Sequence, residues 1–154
     1  MSPLHEFLRL MLVPIALTLF QVAPTLAQST ASEPKRVVLK GHDPVAYFTV
    51  GKPVKGSTAF HFDWDGERYL FSSAANRDLF AANPEKYAPQ FGGYCTGSMS
   101  RKVQAEADPS AWIISDGKLY VFGQTKWADV AHKDPEYLRT RIPLAVVNWR
   151  ERGK

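Results

Sequence analysis

The chain has 154 residues, 45% hydrophobic and 22% charged, which suits one globular domain and excludes a disordered or low-complexity protein. Basic residues exceed acidic ones by 19 to 15, and much of the +4 surplus falls late, at Arg139, Arg141, Arg150, Arg152 and Lys154. Such a run reads as a solvated face, and binding to an anionic membrane surface or to nucleic acid is the lesser reading. No nucleic-acid partner is expected, because the N-terminal leader implies export and exported proteins rarely meet nucleic acid. Cys95 stands alone, which excludes an internal disulfide and a dithiol redox cycle.

The first segment is not globular. Leu10 to Val22 is apolar except at Pro14, Thr18 and Gln21, and Thr25-Leu26-Ala27 supplies the small residues that a signal peptidase reads. The run is too short, and broken too soon by Pro24, to span a bilayer as a helix. Residues 1–27 are therefore read as a secretory signal peptide cleaved near Ala27. The mature protein is then periplasmic or secreted, with no transmembrane segment after cleavage. Residues 28–35 are small and polar, a disordered lead-in, and the folded domain is expected over 36–154 with a helical extension at its C-terminal end.

Within that domain, Arg36 to Leu39 predicts the start of a strand, and Asp43-Pro44 a turn before the apolar Val45 to Phe48. Asp65-Gly66 between two aromatic-rich runs predicts a hairpin with a two-residue turn. Its register pairs Trp64 with Glu67, Asp63 with Arg68, Phe62 with Tyr69, His61 with Leu70 and Phe60 with Phe71. Alternation then puts Phe60, Phe62, Trp64, Tyr69 and Phe71 on one core face. Ser73 caps a following helix whose inner stripe is Ala75, Leu79 and Ala82, with Phe80 beside them, and Asn83-Pro84 stops it. Gly92-Gly93 permits a close backbone approach or positive φ before Cys95. Residues 98–107 are a polar loop. Asp116-Gly117 predicts a second hairpin with Ile114 opposite Leu119 and Ile113 opposite Tyr120. Trp127, Val130 and Ala131 share one side of a short helix. Two further turns or helices cover 135–141 and 143–150, with Leu144, Val147 and Trp149 free to dock. No internal repeat is evident. The fold class is α+β: a small antiparallel sheet built from two Asp-Gly hairpins with several short helices.

Four motifs in fixed order carry a resemblance: Gly41-x-Asp43-Pro44-Val45-Ala46-Tyr47-Phe48, Asp65-Gly66-x-x-Tyr69-x-Phe71-x-Ser73, Phe80-x-x-Asn83-Pro84-Glu85-Lys86-Tyr87 and Gly92-Gly93-Tyr94-Cys95. Together they resemble the YHS domain family. With Asp108-Pro109-x-x-Trp112 and Asp116-Gly117-Lys118-Leu119-Tyr120, they resemble its exported, stand-alone bacterial members. Metal-binding relatives carry cysteines at three positions of this frame, which here read Ala46, Ser72 and Asn76. None supplies a thiolate, so the metal site that the resemblance implies is missing from its usual place.

A site could be rebuilt from Cys95, His42 and His61, with Met99 and Asp43 as secondary ligands. A thiolate, imidazoles and a thioether suit copper by ligand softness. Against this, a free cysteine is commonly a small buried hydrophobe. His61 alternates with core aromatics and is expected to face solvent. No serine elbow, phosphate loop or paired carboxylates point to an enzyme. The leading reading is a non-enzymatic, exported module that binds a soft metal ion, copper-like, or a small ligand. The alternative is a structural or protein-interaction domain whose ancestral metal site has been lost. The leader is tested by intact-mass measurement of protein recovered from the periplasmic fraction. A chain starting near Gln28 is the expected result, and a full-length chain in the cytoplasm overturns it.

Overall fold

Two antiparallel hairpins carry the architecture in the computed structural model, which describes residues 34–152. The leader read over residues 1–27 and the lead-in up to residue 33 lie outside them. Strands β1 (Ser57–Trp64) and β2 (Glu67–Phe71) meet at Asp65 and Gly66, both at positive φ, +49° and +79°, which matches the twist of the strands. The pairs from Trp64↔Glu67 to His61↔Leu70 hold the expected register. Beyond them it breaks, and Ser57, not Phe60, lies opposite Phe71. Local bonds explain the irregularity. The Ala59 N–H donates to Ser57 Oγ at 3.2 Å, and His61 Nδ1 lies 3.0 Å from the Thr58 carbonyl, so this stretch bonds to itself in place of the ladder. His61 is exposed, and Phe60, Phe62, Trp64, Tyr69 and Phe71 all join the first core.

Strands β3 (Asp108–Ser115) and β4 (Lys118–Phe122) repeat the pattern around Asp116 and Gly117, with Ile114↔Leu119 and Ile113↔Tyr120 paired. The hairpins do not merge, so the expected single small sheet is two separate two-stranded sheets. One reason is visible at the edge of β4. Leu119 is met there by Pro89 in an isolated parallel bridge, and proline has no N–H with which to extend a ladder. β4 is instead buried on both faces. Leu119 and Val121 enter the first core, Tyr120 and Phe122 the second.

The strand expected from Arg36 is a 3₁₀ turn, Val38–Gly41, because Leu39 and Lys40 take left-handed φ of +53° and +51°. It leads into α1 (Pro44–Thr49). Helix α2 (Ala74–Ala82) turns a different face inward from the one expected: Phe80 is 0% exposed and Leu79 44%. Phe80 lies among the rings of Phe62, Trp64, Tyr69 and Phe71, with centroids 4.6–6.2 Å away, and this aromatic contact outweighs the thin aliphatic stripe. After α3 (Pro84–Tyr87) come a second 3₁₀ turn (Gln90–Gly93), α4 (Thr96–Met99), β3 and β4, then α5 (Thr125–Lys133). α5 buries Ala128 and Ala131 but leaves Trp127 and Val130 largely outside. The two last helices are one, α6 (Pro135–Glu151), since Pro143 is exposed and the carbonyl it leaves unpaired, on Arg139, can take water. Ala145 and Leu138 dock, while Leu144 and Val147 stay half exposed.

The element order therefore occurs twice: 3₁₀ turn, short helix, hairpin, two helices. This corrects the expectation of no repeat. The matching sequence is thin but regular. Asp65-Gly66-x-x-Tyr69-x-Phe71 and Asn83-Pro84-Glu85 recur 51 residues on (65 to 116, 83 to 134) as Asp116-Gly117-x-x-Tyr120-x-Phe122 and Asp134-Pro135-Glu136. Phe80→Ala is expected to cost about 3–5 kcal/mol in urea melts and Leu79→Ala less than about 1 kcal/mol. The reverse order would place the helix on the wrong face.

Candidate functional site

Asp43 is the most heavily bonded side chain of the first unit. It caps α1, where Pro44 occupies the first helical position, and its Oδ1 accepts the N–H groups of Val45 (2.9 Å) and Ala46 (3.3 Å). Its Oδ2 accepts the Ser72 N–H (2.8 Å), the Ser72 hydroxyl (2.6 Å) and the Asn76 carboxamide (2.7 Å). The residue is 0% exposed. Five donors satisfy a buried charge that would otherwise be costly. Below it, Tyr47 donates to the Pro109 carbonyl at 2.9 Å, and burial, with the Asp108 and Asp43 carboxylates adding, raises its phenol well above the ordinary tyrosine range.

Cys95 holds the equivalent place in the second unit. The Asp43 N–H donates to the Val54 carbonyl (2.8 Å), and the Cys95 N–H to that of Ala105 (2.9 Å). Asp43 accepts the Ser72 N–H, and Cys95 Sγ accepts the Gly123 N–H at 3.2 Å. Phe91 and Gly92 take the left-handed geometry of Leu39 and Lys40. The filling differs. At the 51-residue interval Gly123 replaces Ser72 and Trp127 replaces Asn76, so these two positions offer Cys95 neither the hydroxyl nor the carboxamide that Asp43 receives.

A cavity of about 230 Å³ remains there, lined by Cys95, Ser98, Arg101, Trp127, Tyr137 and Arg141 among others. Gly97 lets the α6 side chain approach, since a Cβ on it would lie 2.9 Å from Tyr137 Oη. The Trp127 and Tyr137 rings are nearly parallel (11°, centroids 6.2 Å apart), and the Arg141 guanidinium sits 5.6 Å from the Tyr137 centroid. Burial raises the Tyr137 phenol above its ordinary value, with the Arg141 and Arg101 charges pulling the other way. A groove of about 510 Å³ beside the first hairpin and α6 mixes Asp65, Glu67 and Glu85 with Lys118, Arg150 and Arg152, and so favours neither charge.

The five residues proposed as ligands are not gathered. Asp43 is held by its five donors. His42 Nδ1 lies 3.0 Å from the Leu39 carbonyl and His61 is on the exposed rim of β1. Cys95 (6% exposed) and Met99 belong to the second core, one helical turn apart, with the Met99 N–H on the Cys95 carbonyl. Among the described residues no three His, Cys, Asp or Glu side chains converge. Sequence reasoning missed Arg101, Gly123, Trp127, Tyr137 and Arg141. The repeat was the signal that could have found Gly123 and Trp127, as counterparts of Ser72 and Asn76; Arg101, Tyr137 and Arg141 have no counterpart in the Asp43 junction.

Comparison with known proteins places the first unit. Residues 45–91 match the family model of the YHS domain. No curated protein and no solved structure matches the chain. The span ends within the second 3₁₀ turn, and Cys95 with the residues lining its cavity lies beyond it. The metal that the YHS frame implies does not fit the residues at its usual place. The Ala46 N–H, the Ser72 hydroxyl and the Asn76 carboxamide all donate protons to Asp43, and none offers sulfur. No helix among the described residues is long and apolar enough to cross a membrane.

Asp43→Asn is expected to lower stability by about 2–4 kcal/mol, because an amide nitrogen cannot accept the buried donors. Ser72→Ala should cost about 1 kcal/mol. Chemical denaturation of both variants measures the difference, and equal losses would mean that the carboxylate is not the centre of the junction.

Proposed function

We propose that this chain is an exported, non-enzymatic binding module whose ligand is a small molecule seated at Cys95, in the second unit. The metal position of the YHS segment serves on this reading as a structural junction. The observation that carries it is the contrast between two equivalent places. One is filled by Ser72 and Asn76; the other, with Gly123 and an outward Trp127, is a cavity with polar walls. Export rests on the apolar run and Thr25-Leu26-Ala27.

A soft metal such as copper is the second reading. It is favoured by the shared core of Cys95 and Met99, two sulfur donors one turn apart. The experiment is a fragment screen by NMR on the mature protein, read at the Trp127 indole and assigned with Trp127→Phe. It is paired with a copper(I) titration against a competing chelator. Fragments are expected to shift Trp127 and to lose that effect in Gly123→Leu, a position where an added Cβ meets only Cys95 Sγ, at 3.8 Å. Absence of any fragment at Trp127, with one-to-one copper(I) binding lost in Cys95→Ser, would overturn the small-molecule reading for the metal.

A further inference from the structure

We infer that the Cys95 cavity takes a small organic carboxylate, its charge held by Arg101 and Arg141 and its flat body set against Trp127. This rests on the reading of that cavity as the binding site and names the ligand class. Charge is the first argument. Among the described residues Arg36, Arg68, Arg77 and Arg139 are each paired with a carboxylate and Arg101 and Arg141 are not. Arg150 and Arg152 are unpaired too, but they line a groove that also holds Asp65, Glu67 and Glu85. No acidic side chain lines the cavity, while two arginines do: Arg101, which is exposed, and Arg141, whose guanidinium lies by the Tyr137 ring.

Hydrogen-bonding chemistry is the second argument. The Arg101 and Arg141 forks only donate, the Tyr137 and Ser98 hydroxyls and the Gln124 carboxamide can donate or accept, and the Cys95 sulfur is already engaged by the Gly123 N–H. A planar guanidinium matches the two oxygens of a carboxylate. Size is the third. About 230 Å³ lies below the roughly 300–1,000 Å³ common for drug-sized ligands, which limits the body to about one ring. Trp127 and Tyr137 offer that ring a flat wall.

The first unit explains why the anion site is absent there. The place of Cys95 is held by Asp43, a fixed negative charge already saturated by donors. Exchanging that carboxylate for a thiol removes the internal anion. The two arginines then present donors for an external one.

The test uses the mature protein and three probes: benzoate, benzyl alcohol and inorganic phosphate, each followed at the Trp127 indole and by calorimetry. Benzoate is expected to bind one-to-one and benzyl alcohol roughly tenfold or more weakly. The double variant Arg101→Gln/Arg141→Gln should lose benzoate by a similar factor and lower the melting temperature only slightly, since it gives up no ion pair and only the contact of Arg141 with the Tyr137 ring. Arg141→Lys, which keeps charge without the fork, should fall between. Equal binding of benzoate and benzyl alcohol, or a double variant that binds benzoate normally, overturns the carboxylate assignment and leaves the cavity as the binding site. Phosphate that displaces benzoate and binds more tightly overturns it in favour of a phosphate. Fragments that shift Trp127 while benzoate does not also overturn it; no effect of any fragment removes the underlying reading as well.

Discussion

A single buried carboxylate fixes the geometry of the first unit. Asp43 lies 29 residues from Ser72 and 33 from Asn76, and its oxygens join the start of α1 to the junction of β2 and α2. A carboxylate without partners in such a place would cost several kcal/mol, and no cation is among its partners. Its charge is balanced by peptide, hydroxyl and amide dipoles alone, so each donor must be placed accurately. Ser73, which caps α2 through the Asn76 N–H at 3.1 Å, sets the helix start that aims Asn76 at Asp43. Here cap, turn and hairpin end are one constraint.

Around this junction the aromatic core follows from alternation. β2 sends Tyr69 and Phe71 inward, β4 divides its side chains between two cores, and Phe80 fills the space above β1 and β2. Gly93 marks where the units touch: a Cβ there would come 2.9 Å from Val38 of the first 3₁₀ turn. The close approach that Gly92-Gly93 implied in the sequence is thus a contact between equivalent elements of the two units.

Hairpin registers near the turns were legible because Asp-Gly fixes turn and pairing together, within a few residues. Their far ends were not. The break before His61 depends on how Ser57 and Thr58 bond locally, which competes with the ladder by small margins. The inner face of α2 was misjudged because helical spacing favours a stripe of similar residues, whereas one Phe80 among four rings buries more. The site was less legible still. Cys95 was singled out for its sulfur, but its place derives from the fold: it occupies the position of Asp43. The two share no chemistry, and the 51-residue interval of the Asp-Gly, Tyr-x-Phe and Pro-Glu signals would pair Asp43 with Tyr94. The structure relates Asp43 to Cys95, since each stands at the start of the short helix after a 3₁₀ turn.

The differences between the two units also account for the long last helix. In the first unit Ser72 and Asn76 close the junction from within, and the terminal helix α3 needs only four residues. The second unit lacks the hydroxyl and carboxamide bonds at Gly123 and Trp127 and keeps only the Gly123 N–H on Cys95 Sγ as the counterpart tie between its short helix and its hairpin. Its terminal helix, α6, runs for 17 residues and supplies substitutes. Asn148 donates to the Met99 carbonyl at 2.9 Å, Tyr137 closes over Gly97, and Trp149 packs against Phe91 and Tyr94. α4, which cannot be stable alone at four residues, is held from outside. An open cavity beside Cys95 is compatible with an ordered fold because α6 does from the surface what the Asp43 carboxylate does from the interior.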